Sequence, residues 1–192
     1  VILQFENYLI IASVMVVLLA CLGYVSSYYI PQAPAVDAGM KLDLNILRSS
    51  LNLISYARKN RGIYLAILAI SWFWFLGASY LTQFPNFSKQ ALNGDPSLVT
   101  LLLAIFTLGI GFGSLLCEKL SRKQVELGIV PIGALGMTLF GVDLYLSIPT
   151  DLLEYESWST FLSNSSNWRL LIDLAGIGIF GGIFIVPLYA YI

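Results

Sequence analysis

Residues 168–192 read WRLLIDLAGIGIFGGIFIVPLYAYI, and within this apolar run Gly176, Gly178 and Gly181 spell the pattern G-x-G-x-x-G. That pattern cradles the phosphates of a dinucleotide when a strand precedes it and a helix N-terminus follows it. Here no turn residue precedes the glycines and no polar helix follows them. About 20 apolar residues are enough to cross a bilayer core. The stretch therefore predicts a membrane helix with a close-packing face rather than a cofactor loop.

The composition of the whole chain is that of an integral membrane protein. Of its 192 residues, 58% are hydrophobic and 11% are charged, whereas a soluble domain carries about 25% charged residues. The net charge of −1 gives no basic field for nucleic acid. There is no histidine, and the two cysteines, Cys21 and Cys117, lie in or beside apolar runs. We therefore predict no catalytic residues, no metal site, no cofactor and no nucleic-acid partner.

Five apolar runs are long enough to span a membrane. Each must be helical, because backbone amides in lipid can be satisfied only within the segment. The sequence therefore predicts an all-α, polytopic transmembrane helix bundle. The predicted membrane helices cover residues 8–30, 62–84, 97–117, 127–148 and 168–192. Because residue 1 is Val and the last run ends without a polar flank, we expect the chain to be a piece of a longer protein.

Basic residues concentrate on one predicted side of the membrane. The segment 31–61 and the loop after the third helix lie on the same side and carry eight of the ten Lys and Arg residues. These eight are Lys41, Arg48, Arg58, Lys59, Arg61, Lys119, Arg122 and Lys123. An excess of Lys and Arg marks the cytoplasmic side. The opposite loops, which carry Lys89 and several acids, are therefore predicted to face outward.

The cytoplasmic segment 31–61 opens with the irregular stretch PQAPAVDAG and then becomes amphipathic. Its apolar residues recur at helical spacing, at Leu44, Leu47, Leu51 and Ile54. This pattern predicts a short helix on the inner membrane surface. The helix can be a connector between two helix bundles or a contact for anionic lipid, and the two interpretations are compatible.

Small residues recur at a spacing of four in the predicted membrane helices. Gly109 and Gly113 share one face of the third helix, and Gly178 and Gly182 share one face of the fifth. Membrane helices associate by close backbone approach at such residues. We therefore predict helix–helix contacts at these two faces.

Ionisable residues inside membrane helices are costly, and each is a candidate for a functional role. Asp143, Arg169 and Asp173 all fall in the outer third of the predicted membrane, on consecutive helices. Arg169 and Asp173 are four residues apart and could pair along one helix face. The three residues form a structural ion pair near the interface, or they line or gate an outward-facing cavity.

The second predicted membrane helix carries an aromatic and polar stripe within SWFWFLGASYLTQF. Tryptophan and tyrosine near a helix end are typical of the interfacial aromatic belt. Tyr80 and Gln83 are also candidates for the lining of a substrate cavity. Their polar groups could bind a substrate headgroup or another helix.

The loop that begins at Gly113, GSLLCEKLSRKQVEL, resembles the loop signature G-x-L-x-D-R-x-G-R-K of the major facilitator superfamily. The ends of the signature match Gly113 on one side and Arg122 and Lys123 on the other. Its acid–base pair corresponds to Glu118 and Lys119 with a shift of one residue. A serine replaces its glycine. The resemblance implies a partial major facilitator fold. Residues 1–30 are then the last helix of the N-terminal bundle, 31–61 the central linker, and 62–192 part of the C-terminal bundle.

Three longer stretches are similar to the lysophospholipid-transporter branch of that superfamily. They are residues 71–87, 109–133 and 178–192. The likeness extends to the transporter portions that occur fused to bacterial phospholipid acyltransferases. It implies a multi-pass protein of the bacterial inner membrane that moves lysophospholipid by alternating access. Its implied partners are the bilayer, the lysophospholipid and a fused or associated acyltransferase.

In such a transporter we expect two roles for the candidate residues, which are chosen by their position and chemistry in this sequence. Tyr80, Gln83, Asp143, Arg169 and Asp173 belong to the substrate cavity. Gly113, Glu118, Lys119, Arg122 and Lys123 form a cytoplasmic latch, in which charge pairs exist in only one conformational state. Two alternatives stay open: a major facilitator transporter of another small molecule or drug, and a membrane anchor for an acyltransferase fusion. In either case the chain itself is not an enzyme.

Overall fold

A computed structural model describes residues 8–31, 45–121, 126–148 and 157–192. These residues are almost entirely helical, and no strand occurs among them. Five of the helices are long and apolar enough to cross a membrane. For the described residues, the prediction of an all-α fold with five helices able to span a membrane is thus confirmed.

The chain divides into two units, residues 1–44 and 45–192. Helix α1 (Tyr8–Ser27) is the described helix of the first unit. It ends before residue 30, because the N–H groups of Tyr28, Tyr29 and Ile30 each bond to a carbonyl three residues back and tighten the last turn. Its side chains from Ile10 to Ser27 are exposed, as expected of a helix that faces lipid or other helices.

The described part of the second unit contains six α-helices. Two of them are short, and four are long and apolar enough to cross a membrane. In chain order they are α2 (Ile46–Lys59), α3 (Arg61–Ala91), α4 (Pro96–Leu120), α5 (Val130–Leu146), α6 (Trp158–Ser163) and α7 (Trp168–Tyr191). One 3₁₀ turn, Leu127–Ile129, leads into α5, and another, Ser165–Asn167, leads into α7.

A single residue, Asn60, joins α2 to α3. Its N–H donates to the carbonyl of Ala57 at the end of α2. Its side-chain oxygen accepts the N–H groups of Gly62 and Ile63 at 3.1 and 3.4 Å, and so caps the start of α3. The chain therefore turns sharply at the predicted cytoplasmic end of α3. The described part of the predicted amphipathic helix forms α2, while residues 32–44 of the predicted linker lie outside the described residues.

Helix α3 extends beyond the apolar run that was predicted to end at residue 84. It continues through Pro85 to Ala91. The helix then stops at a tight turn in which Asn93 adopts a positive φ of 48°. The N–H of Gly94 closes this turn by donating to the carbonyl of Ser88 at 2.8 Å. Proline does not stop the helix here, although it removes one backbone hydrogen bond.

Helix α7 is the central helix of the second unit. It packs extensively against α4 and α5 and less extensively against α3. The predicted glycine faces make the contact with α4: a Cβ on Gly109 would lie 2.7 Å from the carbonyl oxygen of Ala175, and a Cβ on Gly182 would lie 2.6 Å from the amide nitrogen of Ser114. The two backbones touch, so the prediction of close packing at these faces is confirmed.

Glycines serve a different purpose between α5 and α7, where they accommodate aromatic rings. Gly136 faces the ring of Phe180, and Gly176 faces the ring of Phe140. The two rings stack on each other, with their centroids 5.6 Å apart. Each ring thus fills the space above a glycine on the opposite helix, which locks the two helices in register.

Candidate functional site

A cavity of about 810 Å³ lies between α3 and α5. Both helices pack against α7 but hardly against each other, so α7 and part of α4 form the floor of the cavity. The volume falls within the range of about 300–1,000 Å³ that is typical of ligand sites. The lining is mainly apolar and aromatic and includes Trp72, Phe106, Met137, Ile177 and Phe184. The arrangement can hold an apolar group inside the predicted membrane.

Three glycines help to keep this cavity open. A Cβ on Gly77 would meet no atom within 4 Å, and a Cβ on Gly141 would meet only the hydroxyl of Tyr80, at 3.7 Å. A Cβ on Gly181 would lie 3.3 Å from the ring of Phe73. All three residues line the cavity. The space beside Gly77 and Gly141 is free because they carry no side chain, whereas Gly181 lets the ring of Phe73 approach α7 closely.

Tyr80 lines the cavity on the α3 side. Its ring centroid lies 6.2 Å from that of Phe84 and 5.9 Å from that of Phe106, so it is held in an aromatic cluster between α3 and α4. Its hydroxyl points toward α5 near Gly141. Gln83, the other candidate on this helix, is exposed and does not belong to the described lining.

An ion pair between α5 and α7 lies at the predicted outward end of the bundle. Arg169 donates from Nη2 to Oδ1 of Asp143 at 2.5 Å and from Nε to Oδ2 at 3.1 Å. This two-pronged contact is the geometry in which a guanidinium binds a carboxylate best. Both side chains are partly exposed. Asp143 follows the cavity-lining residue Val142 directly, so the ion pair stands at the rim of the cavity.

Arg169 therefore pairs across the helix interface and not with Asp173 along its own helix. An arginine that precedes its acid by four residues is in the less favourable order, because helical side chains lean toward the N-terminus. Asp143 on the neighbouring helix is the better placed partner.

Asp173 is buried, with 2% of its surface exposed. The side chains of Asp143 on α5 and of Ser147, which caps the C-terminal end of α5, are its polar neighbours. Its Oδ2 atom accepts no hydrogen bond from any described residue. One helical turn separates it from Ile177 in the cavity lining. Asp143, Ser147, Arg169 and Asp173 thus form a cluster, called here the outward polar cluster, next to the apolar cavity.

The opposite part of the cavity contains a hydrogen bond that sequence reasoning did not predict. Trp74 Nε1 donates to the hydroxyl of Tyr189 at 2.7 Å and joins α3 to α7. Both residues line the cavity and both are about half exposed. The only sequence signal for this contact is the position of two amphipathic aromatic residues near the middle of α3 and the end of α7.

The predicted cytoplasmic latch is described only in part. Gly113 packs against the backbone of Ile179 and so belongs to the interface between α4 and α7. Glu118 and Lys119 are exposed in the last turn of α4. Arg122 and Lys123 lie outside the described residues.

No family model, no curated protein and no solved structure matches this chain. The features that bear on function are therefore the cavity, the outward polar cluster and the resemblance of the loop and helix motifs.

Proposed function

We propose that this chain is part of a secondary transporter that moves lysophospholipid across the bacterial inner membrane by alternating access between two helix bundles. The observation that carries the proposal is the apolar cavity with a charged cluster beside one end. A lysophospholipid likewise has an apolar part and a charged part, since it joins one acyl chain to a charged headgroup. The acyl chain would occupy the space between α3 and α5. The headgroup would lie near Asp143 and Arg169.

The lining of the cavity favours an amphiphile over a soluble metabolite. A polar solute needs several hydrogen-bonding or charged groups around it, because its lost hydration must be replaced. The hydroxyls of Thr107 and Thr138 in the lining are already bonded to backbone carbonyls of their own helices. Tyr80 and Tyr145 supply further polar atoms, but the remaining lining is mainly hydrocarbon.

The cavity also supports transport over a purely anchoring role. A membrane anchor gains stability from complete packing, whereas the helices α3 and α5 leave the space between them unfilled. The glycine contact between α4 and α7 gives two smooth surfaces on which helices can shift relative to one another. An acyltransferase fused to or associated with the chain would act on the transported lysophospholipid in the cytoplasm.

The proposal is tested by uptake of labelled lysophosphatidylethanolamine in cells that lack their own lysophospholipid importer and express the full-length protein. We expect uptake, followed by conversion to diacyl lipid. Unlabelled lysophospholipid should compete, whereas deacylated glycerophosphoethanolamine should not, because it cannot fill the apolar cavity. Absence of uptake by correctly inserted protein would reject the lysophospholipid assignment and favour another substrate of a major facilitator transporter. Competition by the deacylated compound would reject the proposal that the cavity binds the acyl chain of the substrate.

A further inference from the structure

The carboxylate of Asp173 is a buried polar group that the proposed transport cycle does not explain. It is 2% exposed, and its Oδ2 atom has no hydrogen-bond partner among the described residues. An ionised carboxylate in such a position is costly, because lost hydration is not replaced. A buried polar atom without a partner therefore calls for a specific explanation, such as a bound ion or a proton.

The surroundings of Asp173 leave one negative charge uncompensated. Asp143 on α5 and Ser147 at the C-terminal end of α5 face it, and Arg169 lies one turn away on α7. The guanidinium of Arg169 is already bonded to both oxygens of Asp143. Helix α4, which packs on α7, has no charged side chain between Pro96 and Cys117. Among the described residues around Asp173, two ionised carboxylates and one guanidinium, −2 and +1, leave a formal charge of −1.

We propose that Asp173, Asp143 and Ser147 form a binding site for one monovalent cation, either a sodium ion or a proton, at the outward end of the cavity. The candidate ligands are carboxylate and hydroxyl oxygens, which suit a hard cation. A single positive charge neutralises the cluster. A divalent metal fits less well, because no group of three or more His, Cys, Asp or Glu that could hold a metal occurs among the residues in the described ranges.

The position of this site links it to the cavity. A cation held between Asp173 and Asp143 competes with Arg169 for the Asp143 carboxylate, whose two oxygens now bind the guanidinium. Occupation of the site therefore weakens the ion pair that joins α5 to α7 at the cavity rim. The inference goes beyond the proposed function, since it holds for any transported substrate.

The test uses the purified full-length protein in detergent, without any lipid substrate. The melting temperature, Tm, is measured as NaCl replaces choline chloride at constant pH and ionic strength, and then across a pH series in choline chloride. Asp173→Asn is compared with wild type. Glu126→Gln serves as the matched control, because Glu126 is an exposed acid at the start of the turn before α5, on the opposite side of the predicted membrane.

In choline chloride at neutral pH we expect Asp173→Asn to be at least as stable as wild type, since it removes a buried charge whose Oδ2 atom has no hydrogen-bond partner among the described residues. If sodium is the ligand, the wild-type Tm rises with sodium concentration as a bound ligand requires, and Asp173→Asn shows no rise. If a proton is the ligand, sodium has no effect and the difference in Tm between the two proteins closes as the pH falls. Glu126→Gln should follow wild type in both series.

Identical responses of Asp173→Asn and wild type to both sodium and pH would overturn the inference. Asp173→Ser, which also removes the charge, replaces the amide variant if that protein cannot be purified. The result is independent of the transport proposal, because the samples contain no lysophospholipid. A protein without a cation response could still take up lysophospholipid, and a protein without uptake could still bind the cation.

Discussion

Gly178 of α7 lies directly against Gly109 of α4, so that a Cβ built on Gly178 would approach the Cα of Gly109 to 3.1 Å and the carbonyl oxygen of Phe106 to 2.5 Å. Both of these neighbours are backbone atoms, which cannot move aside as a side chain can. The contact therefore sets the distance between the two helices. It also explains why a sequence that superficially matches a phosphate-binding loop has glycine at this position.

Gly178→Ala should destabilise the protein, because the added methyl group forces α4 and α7 apart. Overpacking of this kind costs about 1–3 kcal/mol, and the measurement is the Tm of the purified protein in detergent. Gly111→Ala is the control, since a Cβ on Gly111 in α4 would meet no atom within 4 Å. We expect its Tm to be unchanged or slightly higher. Equal Tm values for the two variants would contradict the assignment of the glycine interface.

The helices and their glycine faces could be predicted from the sequence because both depend on local patterns. Length and apolar content define a membrane span, and a spacing of four residues places Gly178 and Gly182 on one face. The end of α3 was less predictable. Its extension through Pro85 to Ala91 depends on the turn that Asn93 and Gly94 form with the helix end.

The site was less predictable because it depends on which helices are neighbours. Arg169 and Asp143 are 26 residues apart in sequence, and no local pattern indicates that they meet. Gly141 could be recognised as a small residue in a membrane helix, but only the separation of α3 from α5 shows that it borders a cavity. Asp173 could be recognised as a candidate, whereas its lack of a partner follows from the tertiary structure.

The ion pair between Asp143 and Arg169 should affect transport more than stability. Both side chains are partly exposed, and exposed ion pairs contribute little to the free energy of unfolding. Asp143→Asn and Arg169→Gln should each lower uptake of labelled lysophospholipid at equal membrane abundance, with little change in Tm. The double variant should be no worse than the more affected single variant, because one contact is lost in all three proteins. Uptake that falls only in proportion to Tm would show that the pair has a purely structural role.

The latch hypothesis predicts a separate effect on the cytoplasmic side. Replacing Arg122 and Lys123 with Ala removes two positive charges from the loop after α4. We expect slower uptake with normal insertion into the membrane, because charge pairs that stabilise one state of the cycle are lost. Insertion is checked by the amount of protein in the membrane fraction. Wild-type uptake by the double variant would reject the latch.

Substitutions that fill the cavity without disturbing the fold should cause the strongest loss of transport. Gly77→Leu places a side chain into the space between α3 and α5, where a Cβ meets no atom within 4 Å. Gly141→Leu fills the same space from α5 and pushes against the hydroxyl of Tyr80. Both variants should reduce lysophospholipid uptake, and the first should keep the wild-type Tm, because the Cβ of its new side chain meets no atom within 4 Å.

Gly111→Leu is the matched control for these two variants, because it adds the same side chain to an open position of α4 that does not line the cavity. It should transport like wild type. If Gly77→Leu transports as well as Gly111→Leu, the acyl chain does not pass between α3 and α5. If Gly111→Leu loses as much uptake as Gly77→Leu, the defect comes from added bulk on the bundle surface rather than from filling of the cavity. Only a loss confined to Gly77→Leu and Gly141→Leu assigns the cavity to the substrate.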